Sequence, residues 1–215
     1  MEKFFIENSN FTLALVSTAL IVVSIYLVGF ILDCITQAFA QIIMGFLGYD
    51  VTMFIMNNLT FVGTVHHELS HALFAFLTGA KISEIKLYNP ENGVLGSVSY
   101  YPKGNVFFQC IQCTLSSIAP VICGFFTLSL LSNNYNTLTG IGIPNWLLIY
   151  LMISIFSHMT MSSQDIKVSL KGLLAFILVL FVIMYVTRFD YGKFASNFLL
   201  EVFYFLKKLY NGEKI

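Results

Sequence analysis

Residues 12–32 read TLALVSTALIVVSIYLVGFIL, 21 consecutive positions without a charged side chain. A helix of that length rises about 30 Å, the thickness of a bilayer's hydrocarbon core. The run exceeds the apolar core of a cleaved signal peptide and is expected to be a retained span. The rest of the chain agrees. Of 215 residues, 57% are hydrophobic and 10% charged, with a mean hydropathy of +0.81, whereas a globular domain is about 25% charged. So little polar surface cannot solvate a water-soluble body of this size. The net charge of zero gives no basis for nucleic-acid binding. The expected class is an all-α polytopic integral membrane protein, a single membrane domain over 1–215 with the lipid bilayer as its surroundings.

Four further apolar stretches approach spanning length: 51–79, 106–131 with Pro120 near its middle, 145–161 and 168–187. Residues 34–48, with Gln37 and Gln41 on one helical stripe, are short for a span and read as re-entrant or interfacial. Residues 193–209 read as an amphipathic surface helix or a sixth span, which gives five to six transmembrane helices. Between the second and third spans, 82–88 and 94–101 are β-prone runs separated by Asn89-Pro-Glu-Asn-Gly93, a hairpin signal. Cys34, Cys110, Cys113 and Cys123 lie in or beside apolar segments and read as packing residues.

Lys3, Lys81, Lys86, Lys103, Lys167 and Lys171 share one side of a five-span arrangement, and loop 132–144 opposite carries no Lys or Arg. That predicts a cytoplasmic N-terminus and hairpin. Arg188, Lys193, Lys207, Lys208 and Lys214 then fall on the opposite side. A sixth crossing returns the later ones but not Arg188.

Chemistry concentrates in Gly63-Thr-Val-His66-His67-Glu68-Leu-Ser-His71-Ala72, which holds three of the four histidines. His67-Glu68-Leu-Ser-His71 is an H-E-x-x-H motif. Residues four apart share a helix face, so both imidazoles can converge on one ion. Glu68 can then act as general base on a water that the ion acidifies. Asn57, Thr60, Thr64, His67, His71 and Thr78 recur at helical spacing as a polar stripe, and intramembrane polar residues face the bundle interior or a wet cavity. An inert hydrogen-bonded site would leave Glu68 without a role. His66 is off the register. A catalytic zinc needs a third protein ligand, and the fourth span offers His158 and Asp165. They lie about 10 Å apart on a continuous helix, so both cannot bind one ion. Depth favours His158, whereas a break at Ser162-Ser163-Gln-Asp165 would let the chain carry Asp165 inward.

On these residues the sequence resembles the site-2-protease class of intramembrane zinc metalloproteases, peptidase family M50 and its relatives. H-E-L-S-H on an apolar helix, the hairpin-like 82–101, Ser116-Ser-Ile-Ala-Pro120 on the third span and Met161-Ser-Ser-Gln-Asp165-Ile-Lys carry the resemblance over roughly 55–172, the expected metalloprotease core. It implies a zinc endopeptidase of the plasma membrane that cuts membrane-protein substrates within or beside the bilayer. It implies Zn2+ on His67, His71 and Asp165, Glu68 as catalytic base, and a hairpin edge that pairs with extended substrate. The family's Asn-Pro-x-x-x-x-x-Asp-Gly form around the aspartate is absent. The usual oxyanion Asn has no clear counterpart, with Asn57 as a stand-in. A non-proteolytic membrane metal-binding, transport or scaffold protein is the alternative.

Overall fold

The computed structural model describes residues 2–88 and 95–211. The chain forms helices α1 (Glu2–Leu47), α2 (Tyr49–Phe54) and α3 (Phe61–Leu77), strands β1 (Lys81–Lys86) and β2 (Ser97–Tyr101), then α4 (Val106–Asn133), α5 (Tyr135–Gly140), α6 (Asn145–His158), α7 (Ser163–Thr187) and α8 (Tyr191–Asn211). Ser9–Leu47, α4 and α7 are long and apolar enough to cross a membrane. The fold is that of a helical membrane protein with one small hairpin.

Two compact units divide the chain, 25–176 and the pair of segments 1–24 and 177–215. In the smaller unit Ser17 Oγ donates to Phe189 O at 3.0 Å and accepts from Tyr191 N at 3.2 Å. Phe11 meets Phe181 edge-on at 5.4 Å.

The larger unit holds every motif residue. Residues 34–48, expected to stand apart from the first span, continue it as one helix to Leu47. No proline interrupts them, and Gln37 Nε2 donates to Asp33 Oδ2 one turn earlier at 2.7 Å. At 46 residues this helix is longer than the roughly 20 that one crossing needs.

The expected second span is likewise subdivided. Ile55–Leu59 form a π-helical turn between α2 and α3. The wider turn shifts the helical register, so the polar stripe does not run straight from Asn57 to His67. α3 ends where Gly79 adopts φ +85°. Gly79 N then donates to Phe76 O and Ala80 N to Ala75 O, both at 2.9 Å, satisfying the last carbonyls.

β1 and β2 pair antiparallel from Lys81↔Tyr101 to Lys86↔Ser97, with a bulge between Ile82 and Glu84. The expected turn Asn89–Gly93 lies outside the described residues. Gln112 of α4 fastens the base of the hairpin. Its Nε2 donates to Thr78 O at 2.9 Å and Lys103 O at 3.1 Å, and its Oε1 accepts from Lys103 N at 2.8 Å.

α3 packs against α4 and α6. A Cβ on Gly63 would lie 1.9 Å from Ser154 O, so only glycine permits the α3–α6 approach. Ser154 Oγ seals it, accepting from Gly63 N at 2.8 Å and donating to Thr60 O at 3.0 Å.

Candidate metal centre and active site

His67 and His71 sit one turn apart on α3. Each ring is fixed by a main-chain carbonyl at its Nδ1: His158 O for His67 and Ser116 O for His71, both at 2.7 Å. A carbonyl only accepts, so both Nδ1 atoms carry the hydrogen. In the neutral rings both Nε2 atoms therefore present lone pairs. These face one another at 3.0 Å.

Both carbonyls are ones that their own helices cannot use. His158 is the last residue of α6, and terminal carbonyls lack an intrahelical donor. Ser116 lies mid-helix, but the residue four further on is Pro120, which has no N–H.

Asp165 completes the group. The chain breaks between α6 and α7, and Ser162 caps the new helix. Asp165 N donates to Ser162 Oγ at 3.1 Å, while Asp165 Oδ2 accepts from Ser162 N at 2.9 Å and Ser162 Oγ at 2.6 Å. This reciprocal capping box holds one carboxylate oxygen and leaves Oδ1 3.5 Å from His71 Nε2. Donor atoms of His67, His71 and Asp165 all lie within 4.8 Å of one another. Two opposed lone pairs beside a carboxylate repel unless positive charge lies among them. The donor chemistry therefore fits a divalent cation, and His2Asp sets with anchored Nδ1 atoms are typical of such sites.

The ring of His158 does not join the group. Its Nδ1 lies 3.1 Å from both Ser154 O and Ser157 Oγ. His66 is turned to α4, with Nε2 3.0 Å from Thr127 Oγ1. Asn57 lies within the π-helical turn and is absent from the cavity lining.

Glu68 is buried, 8% exposed, and lines a cavity of about 570 Å³ with the three donors. The hairpin closes one wall, from Gly96 to Tyr100. Gly96 comes so near that a Cβ would sit 2.6 Å from Glu68 Cγ. The Tyr100 hydroxyl meets the side chains of Ser116 and Cys113, and burial pushes its phenol above the ordinary value.

Sequence reasoning gave no role to the Tyr100 hydroxyl, to Ser116 within its motif or to the His158 carbonyl. The position of Pro120 was the one signal for Ser116. Nothing local marked Tyr100.

Fold and site define an integral membrane protein with a His-His-Asp donor group, His71 buried and His67 and Asp165 half-buried, beside a glutamate. Comparison with known families matches residues 38–211 to the family described as Peptidase M50B-like, and the chain belongs to it. No curated protein and no solved structure matches the chain.

Proposed function

We propose that this chain is an intramembrane zinc endopeptidase of the plasma membrane, acting on membrane-protein substrates in regulated intramembrane proteolysis. His67, His71 and Asp165 hold the zinc. Bound there, the zinc supplies Lewis acidity that polarises the scissile carbonyl and acidifies a water. Glu68, in the same cavity, takes the proton of the attacking water and passes it to the leaving amine. A substrate helix must unwind before its peptide bond can be reached, and the edge of β2 that no other strand pairs among the described residues offers it main-chain hydrogen bonds. The observation that most supports this reading is the opposition of two carbonyl-anchored imidazoles next to Glu68.

The test is Glu68→Gln. Membranes carrying wild-type or variant protein are compared by mass spectrometry of new N-termini, with zinc content measured in parallel. Loss of a general base lowers the rate by roughly 10²–10⁴-fold. Cleavage at the wild-type rate with zinc content unchanged would sink the mechanism.

A further inference from the structure

α4 runs for 28 residues, and Ser116 is far from either end. Within such a helix every carbonyl normally accepts from the N–H four residues on. Pro120 removes the N–H that Ser116 O would receive, and its ring crowds that carbonyl away from the helix axis. Ser116 is fully buried, with Ile118 1% and Ala119 0% exposed beside it, so water is no substitute partner. A buried carbonyl without a donor is unfavourable. His71 Nδ1 meets it at 2.7 Å. The same two residues bond a second time, Ser116 Oγ donating to His71 O at 3.0 Å.

We infer that Pro120 is a positioning residue for the metal centre: it frees the Ser116 carbonyl to take the His71 Nδ1 hydrogen, which turns the His71 Nε2 lone pair toward the ion. The inference rests on the zinc-site reading above. The two anchoring carbonyls then have separate origins. One helix is ended at His158, where the chain must turn to bring in Asp165. α4 cannot end, because its later residues continue the span, so the carbonyl is released by deleting one donor. The arrangement is reciprocal: His71 needs the carbonyl to fix its tautomer, and the carbonyl needs His71 as its donor.

The experiment uses the full chain in detergent with Pro120→Ala, His71→Ala and the double variant. Pro120→Ala restores the helical N–H, which competes with His71 for Ser116 O. Alanine also favours the helix interior over proline. The expected result is a metal-free protein that melts at or above the wild-type temperature. Its zinc affinity falls roughly tenfold to hundredfold, as when an outer partner of a ligand is lost. A merely structural role for the proline would move the two readouts together. His71→Ala lowers the metal-free melting temperature by several degrees in the otherwise wild-type chain, where it orphans the carbonyl, and by less when combined with Pro120→Ala. Unchanged zinc affinity in Pro120→Ala, or equal effects of His71→Ala with and without it, overturns the inference while the zinc site stands. A wild-type protein that binds no zinc overturns both.

Discussion

The ring of His158 bonds back to Ser154 and Ser157 on its own helix, while its carbonyl holds His67. Asp165 has the opposite arrangement, its side chain turned to the donor group with one oxygen secured by Ser162. The two therefore respond differently to truncation. Asp165→Ala, which removes the proposed third ligand, is expected to lower zinc retention beyond the tenfold-to-hundredfold of an outer partner. His158→Ala keeps its backbone carbonyl and should retain zinc. Equilibrium dialysis of both variants decides the assignment, and loss only in His158→Ala would overturn it. Ser162→Ala belongs between them. It removes a helix cap worth about 1 kcal/mol and loosens Asp165 Oδ2, so a modest drop in melting temperature should accompany a fall in affinity. At this scale the sequence already pointed to the outcome in part. The four-residue spacing placed His67 and His71 together, and Ser162-Ser-Gln-Asp165 had the composition of a cap. Depth alone favoured His158, because counting residues from a lysine cannot show that the chain breaks at Met159.

The elements meet through small residues, and their effects can be separated. A Cβ at Gly63 would lie 1.9 Å from Ser154 O and 2.5 Å from His158 Nδ1, whereas one at Gly45 would meet nothing within 4 Å. Both glycines are helical. Gly63→Ala should force α3 from α6, destabilise by about 1–3 kcal/mol and draw His67 from its carbonyl, weakening zinc binding as well. Gly45→Ala should be neutral or stabilising by up to about 1 kcal/mol, the ordinary alanine preference. Thermal melts in detergent compare them, and equal shifts would show that the close approach at Gly63 carries no strain. Hydropathy identified the helices and the Asn-Gly pair marked the hairpin, because both signals are local. Two interruptions were hidden. The π-helical turn at Ile55–Leu59 contains no proline or glycine, so composition does not mark it. The continuity of α1 past Asp33 was obscured because 34–48 is short for a span and its Gln37 and Gln41 stripe reads as interfacial, although Gln37 simply bonds Asp33 one turn back.

Among the described residues small polar side chains share the interior with apolar ones, while many large apolar side chains face outward. Ser116, Ser154, Ser169 and Thr114 are 0% exposed, while Leu174 is 72% and Val186 73% exposed. Lipid tails are as apolar as leucine, so helices in a bilayer gain by close packing of small residues and by hydrogen bonds between them. Thr114 Oγ1 to Ser169 O at 2.9 Å is one such bond. Orientation rests on charge. Lys81, Lys86 and Lys103 flank or lie in the hairpin, whereas 134–144 contain no Lys or Arg, and cytoplasmic loops carry the excess of both. The expected orientation is therefore a cytoplasmic hairpin with α5 outside. The check is Glu84→Cys and Thr137→Cys, each at an exposed position, in a background with the four native cysteines replaced by alanine. A membrane-impermeant maleimide added to intact cells should label the Thr137→Cys protein and spare the Glu84→Cys protein until the cells are lysed. The reverse pattern would put the hairpin and its cavity wall outside. An extended substrate segment would then have to approach β2 from the extracellular face, because β2 forms that wall of the cavity beside Glu68.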